Sequence, residues 1–266
     1  MADSVYISSN MTSPQMEFLK LLEKFEIEIF HMEEIEKQLN KKFINLNEIL
    51  ENLEHKEFLS RIERGKYCRA SFRNEFTIGT FVVREGAIAY WSALNTYGLT
   101  EQFPNTVFVQ STHKKSDKTI FGVKYKFIKI PETKREGIVK EGYGNYSFYM
   151  TDLEKTIVDC FDLPQYSGGY AELIRAFAQS RLSSRKLIAY SRAVGNIAAI
   201  KRMGFLAELF EKKRLKTFIR YAKNQVRDAY NPIDPFGNAS GKFNSRWRLR
   251  MNISEEELCD IVQSQH

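Results

Sequence analysis

The sequence predicts an α+β protein in two parts: a small unit over residues 1–73 and a larger, basic, mixed α/β part over residues 74–266. Three observations predict it. Three apolar stripes at helical spacing precede a basic hairpin within the first seventy or so residues. Beyond Phe72 the pattern changes to strand-like runs followed by a series of helices. The charge changes sign near the hairpin: residues 1–60 carry −6 and residues 61–266 carry +13, within a net charge of +7.

Ser13 and Pro14 suit a helix cap and first helical residue, and Phe18, Leu21, Leu22 and Phe25 give the stripe that follows. Met32, Ile35 and Leu39 predict a second helix. The third begins after Asn45, which with Glu48 reads as a capping box, and carries Leu46, Ile49, Leu50 and Leu53 on one face. Phe58 to Ile62 then reads as a strand, Glu63 to Lys66 as a turn with Gly65 free to take positive φ, and Tyr67 to Arg69 as the return strand. Three helices and a two-stranded wing make a winged helix-turn-helix, a module that commonly contacts DNA.

In the second part, Arg84 to Tyr97 reads as an apolar helix stopped by Gly98. Thr106 to Gln110, Lys124 to Ile130 and Tyr146 to Met150 read as strands. Thr151 and Glu154 read as a capping box ahead of a helix ended by Pro164, with Gly168-Gly169 in the loop beyond. Helices are predicted over Tyr170 to Gln179, Ser184 to Met203 and Phe205 to Tyr221. A loop over Asn231 to Gly241, a strand over Arg246 to Arg250 and a short acidic helix from Ser254 complete the reading.

A hydrophobic share of 43% supports a substantial core. No run approaches the roughly 18 apolar residues of a membrane span. Met1 to Ser13 lacks the basic residue and apolar stretch of a signal peptide. Cys68, Cys160 and Cys259 are scattered and odd in number, as expected of reduced thiols in the cytoplasm. The glycosylation triplet Asn145-Tyr146-Ser147 is then a chance match.

The wing holds Arg61, Arg64, Lys66 and Arg69 against Glu63, an arrangement suited to phosphates or a narrow minor groove. On the third helix Asn47, Asn52 and His55 can hydrogen-bond base edges, but Glu48 and Glu51 would repel phosphates. That stripe fits a solvent face equally well. Between Arg181 and Arg227 there are 13 basic residues and 2 acids, with Arg185, Lys186, Lys212, Lys213 and Arg214 the candidate phosphate contacts.

Catalytic and cofactor signatures are missing. Asp152, Glu154 and Asp159 look like a carboxylate cluster, but Glu154 reads as the capping partner of Thr151 and Asp152 as a helix-start acid rather than as metal ligands. His31, His55, His113 and His266 are far apart, and Gly142-Tyr143-Gly144 is a lone Gly-x-Gly. No enzyme activity, metal or cofactor is expected.

The order of these segments resembles the AbiEi family, the antitoxin half of type IV toxin–antitoxin systems. The resemblance rests on the hairpin Phe58 to Tyr67, the Tyr90 to Leu94 and Tyr97 to Thr100 segments, the run Met150 to Asp159 with Pro164 and Gly168-Gly169, and Lys201 to Leu206. It implies a repressor that binds operator repeats in double-stranded DNA through the winged helix. It also implies a basic C-terminal domain that counteracts a nucleotidyltransferase-like toxin without a stable complex. The acidic third helix departs from a simple base-reading helix. A protein- or RNA-interaction module without operator binding is the alternative that the residues leave open.

Overall fold

The computed structural model describes residues 10–263 apart from Glu101 and Phe103; His266 and most of the segment read for a signal peptide lie outside them. Helix α1 (Ser13–Lys24), strand β1 (Ile29–His31), helices α2 (Met32–Gln38) and α3 (Leu46–His55), and strands β2 (Leu59–Glu63) and β3 (Lys66–Arg69) follow one another. β3 lies between β1 and β2, antiparallel to both. Phe18, Leu22, Ile35, Leu39, Ile49, Leu50 and Leu53 close a core over Phe30, Leu59 and Tyr67. Gly65 takes φ +74° in the hairpin turn, as expected.

Local corrections are small here. The cap of α1 is Thr12, one residue before Ser13, and the Gln15 side chain accepts its N–H at 3.2 Å. Asn45 precedes α3, but its side chain donates to the Glu48 carboxylate rather than capping the helix backbone. β1 has no counterpart among the predicted strands because three residues are too few to display alternation.

The second part begins with helix α4 (Glu75–Phe81), strand β4 (Ala87–Ile88) and helix α5 (Tyr90–Thr96). Strands β5 (Thr106–Ser111), β6 (Lys118–Ile120), β7 (Val123–Lys129), β8 (Ile138–Glu141) and β9 (Phe148–Thr151) follow. They form one mixed sheet in the order β6-β7-β5-β4-β9-β8. The helix predicted from Arg84 starts only at Tyr90, because Ala87 and Ile88 pair with Gln110 and Val109 of β5. The apolar spacing that suggests a longer helix is that of a buried strand joined to a short one.

The sheet is buried on both faces. Val107 and Val109 of β5, with Tyr125 and Phe127 of β7, pack against Ile78 and Val82 of the α4 region and against Ile62, Cys68 and Phe72 behind the hairpin. Phe108 and Ile128, pointing the other way, join the helical core. That core is built from α6 (Leu153–Asp162), α7 (Tyr170–Gln179), α8 (Ser184–Val194), α9 (Ile197–Leu209) and α10 (Lys216–Asn224). The chain ends in β10 (Asn231–Pro232), β11 (Lys242–Asn244), β12 (Leu249–Met251) and α11 (Glu255–Gln263), the three strands ordered β10-β12-β11.

Two readings of this part change. The cap of α6 is Asp152, which accepts the Lys155 N–H at 2.9 Å; Thr151 instead shares a hydrogen bond with Thr156, and Glu154 accepts the Ser183 N–H at 2.8 Å. The long predicted helices divide at Gly195-Asn196, where Asn196 accepts the Ala199 N–H, and not near Met203. Gly204 does not end a helix. It lies inside α9, where a Cβ would come within 2.5 Å of the Trp247 ring. Its absence of side chain is a packing requirement rather than a stop signal.

The helical core encloses an ion pair between Lys155 and Asp159, one turn apart and almost wholly buried. Burial raises the Asp159 carboxyl to about 6, against the pull of Lys155. Taking one charge away strands the other in an apolar setting, whereas removing both can be nearly neutral. Lys155→Met is therefore expected to lose about 3 kcal/mol at neutral pH, and Lys155→Met with Asp159→Leu to recover most of it. Chemical denaturation of the two variants checks this; equal losses would mean that the ion pair is not what the fold requires here.

Candidate nucleic-acid interface

The four wing cations occupy three different situations. Arg61 and Arg64 are exposed, and their side chains make no hydrogen bond or ion pair among the described residues. Arg69, half-buried, uses its backbone N–H to bind the Glu28 carbonyl at 2.8 Å and has no carboxylate partner among the described residues. Lys66 is not free, contrary to expectation. It pairs with Glu63 at 2.8 Å and donates to the Val82 carbonyl at 2.6 Å, beyond the end of α4.

The reason is that the hairpin is docked against the second part. Glu63 receives both carboxylate bonds from Lys115, at 2.8 and 3.0 Å, and a third from Lys118 at 3.3 Å. Burial alone would raise its carboxyl, but the hydrogen bonds from Lys115 and Lys66 outweigh this and lower it to about 2. Lys118 also reaches the Ile62 carbonyl at 3.4 Å. At the opposite end of this small sheet, Asn145 holds the Glu26 carbonyl and accepts the Glu28 N–H. The His31 ring lies 4.2 Å from Phe81. The hairpin is thus fixed to the larger part along its length, with Arg64 left outward at its tip.

Lys115 and Lys118 are not among the sequence candidates. The signal is present as His113-Lys114-Lys115-Ser116-Asp117-Lys118, a short basic loop, but only the fold brings it to the hairpin. With Lys66 and Arg64 they give the hairpin tip a local excess of positive charge around Glu63.

On α3, Asn47 and His55 are exposed and without hydrogen-bond partners among the described residues, while Asn52 donates to the Glu48 carbonyl at 2.9 Å. That backbone bond ties up one Asn52 donor and leaves Asn47 and His55 as the freer groups.

The basic run of the second part divides similarly. Arg185, Lys213 and Arg214 are exposed. Lys186 pairs with Asp152 at 2.9 Å and approaches Glu154 at 3.6 Å, and its ammonium is held above its ordinary value chiefly by the Asp152 hydrogen bond. Lys212 is withdrawn from the surface. It donates to the Ala178 and Ser180 carbonyls at 2.7 and 2.9 Å, at the end of α7, and burial lowers its ammonium. This is a helix C-terminus satisfied by a cation. Lys201 and Arg202 are likewise buried, bonded to backbone carbonyls of Ala229, Arg248 and Pro232. Lys212 and Lys186 are therefore removed from the set of free phosphate contacts.

Asp152, Glu154 and Asp159 meet separate partners rather than one another, and among the described residues no group of three or more His, Cys, Asp or Glu is placed to hold a metal ion. No described helix is long and apolar enough to cross a membrane. Cys68 and Cys160 are buried, which raises both thiols, Cys68 to about 11.

No family model and no curated protein matches the chain. Among solved structures it is similar to the crystal structure of RV2827C protein from Mycobacterium tuberculosis, with a TM-score of 0.64 and 11% sequence identity over 97% of each chain. At that identity the likeness is one of fold, and it extends over both parts of the molecule.

The Glu63 tie has a defined pH signature. A carboxyl lowered in the folded state from 4.5 to about 2 stabilises the fold above 4.5, and that contribution is lost as pH falls toward 2. Glu63→Gln should be less stable than the parent at neutral pH and converge with it as pH falls through this window, as followed by urea denaturation. A constant difference down to about 2 would remove Glu63 as the source.

Proposed function

We propose that the chain is a DNA-binding antitoxin of the AbiEi type, which represses its own operon through residues 1–73 and counteracts a nucleotidyltransferase-like toxin through residues 74–266. The element order α1-β1-α2-α3-β2-β3 suits a winged helix-turn-helix, with α3 in the place of the recognition helix. The observation that carries the reading is the pair Arg61 and Arg64. Both are exposed on a hairpin that is already fixed in place, and neither forms an ion pair with an acid among the described residues, although Glu54 and Glu57 border the same cleft as Arg61. A cation held without a partner on a rigid arm is suited to a phosphate. Because the Glu63 contacts order the arm beforehand, little flexibility remains to be lost on binding.

The roles then divide. Arg61, Arg64 and Arg69 supply phosphate or minor-groove contacts, and Asn47 and His55 supply base-edge contacts from α3. Glu48 and Glu51 limit how closely that helix can approach phosphates, so most affinity comes from the wing and the exposed cations of the second part.

Binding to a duplex from upstream of its own gene, measured across a salt series, tests this. Removing one cation that neutralises a phosphate lowers the slope of log affinity against log salt by about 0.9. Arg64→Ala is expected to show about one such step and Arg61→Ala with Arg64→Ala about two. Unchanged slopes in both variants would take the wing out of the interface.

A further inference from the structure

A second surface, remote in sequence from the wing, has a different chemistry. The small sheet β10-β12-β11 turns Leu249 inward, where it is buried with Trp247 and Ile233. Neighbouring register positions alternate between faces, so Arg250 and its cross-strand partner Phe243 point outward. Tyr230 completes the outer face: its ring meets that of Phe243 edge-to-face, centroids 4.8 Å apart. The guanidinium of Arg250 lies 5.3 Å from the Phe243 centroid, and that of Arg248 lies 5.2 Å from the Tyr230 centroid while donating to its hydroxyl at 2.9 Å. Phe243 remains 60% exposed and Tyr230 36%.

No carboxylate pairs with Arg248 or Arg250 among the described residues, and the Arg250 Nε is buried without an acceptor. Both charges are steered by aromatic rings instead of neutralised by acids. We propose that this face binds an unpaired strand of nucleic acid, with a base stacked on the open side of Phe243 and phosphates taken by Arg248 and Arg250. Exposed rings give stacking platforms without regard to sequence, and arginines beside them take the backbone. A duplex fits poorly, because its bases already cover one another's faces. An acidic peptide would use the charges and leave the rings unused. This proposal uses no wing residue and stands apart from operator binding.

Anisotropy of labelled strands of about a dozen nucleotides, one RNA and one DNA, with the annealed duplex as control, tests it on the full chain. Phe243→Ala is expected to weaken single-strand binding about tenfold, roughly the contribution of one stacked base. Phe243→Tyr, which keeps the ring, should retain it, and duplex binding should be unchanged in both. Tighter binding of RNA than DNA would assign the site to RNA; equal binding would mean that the 2′-hydroxyl is not read, and both support the face. Single-strand affinity unaffected by Phe243→Ala, undetectable in the parent chain, or abolished equally well by a polyglutamate competitor would overturn the proposal.

Discussion

A mixed sheet whose two faces must both leave water sets the terms for the whole molecule. Its central strand β5 alternates Val107 and Val109 toward one side with Phe108 toward the other, and neither side can be left open. The helices after β9 cover the Phe108 side. The Val107 side is covered by α4 and by the back of the hairpin through Ile62 and Cys68. The small N-terminal unit thus closes its own core over Phe18 and Leu50 and, with the other surface of its sheet, supplies part of a neighbour's. Apolar contact of this kind is non-directional. The polar ties around Glu63 and Asn145 provide the direction, fixing which way the hairpin lies.

That arrangement explains why positive charge in this chain is a poor guide to surface. Lys201, Arg202 and Lys212 each end on backbone carbonyls. Carbonyls at a helix end or in an irregular loop need donors, and a long cationic side chain can supply one from a distance while its stem packs among apolar groups. Buried cations without acids therefore inflate a charge count made along the sequence. Once they are set aside, Arg61 and Arg64, and Arg185, Lys213 and Arg214, remain among the exposed cations.

What is legible in the sequence follows from the range of the interactions involved. Helices α2, α3 and α7 and the hairpin are readable because their apolar spacing and the turn at Gly65 are local. β1, β4 and β10 are not, since two or three residues pair across long separations and carry no period of their own; of the last small sheet only β12 overlaps a predicted strand, that over Arg246 to Arg250. The candidate site shows the same division. Arg61 and Arg64 can be named from a turn and its neighbours, whereas Lys115 and Lys118 enter only when β6 is brought to the hairpin tip. A capping box at Thr151 fails for a related reason: Glu154 has a distant partner, the Ser183 N–H, better placed than the local one.

The docking of the hairpin also fixes how its exposed cations lie relative to the rest of the chain. A freely hinged hairpin would let the small unit move independently of the rest. Here the hairpin tip is held by Lys115 and Lys118, and the opposite end of the sheet by Asn145. Arg61 and Arg64 are consequently held in a set orientation to the second part. The Arg248–Phe243 face differs in kind, because its cations lie against partly exposed aromatic rings. The two surfaces therefore differ in what they offer, exposed cations on the hairpin and rings edged by arginines on the last small sheet, and neither requires the other to move.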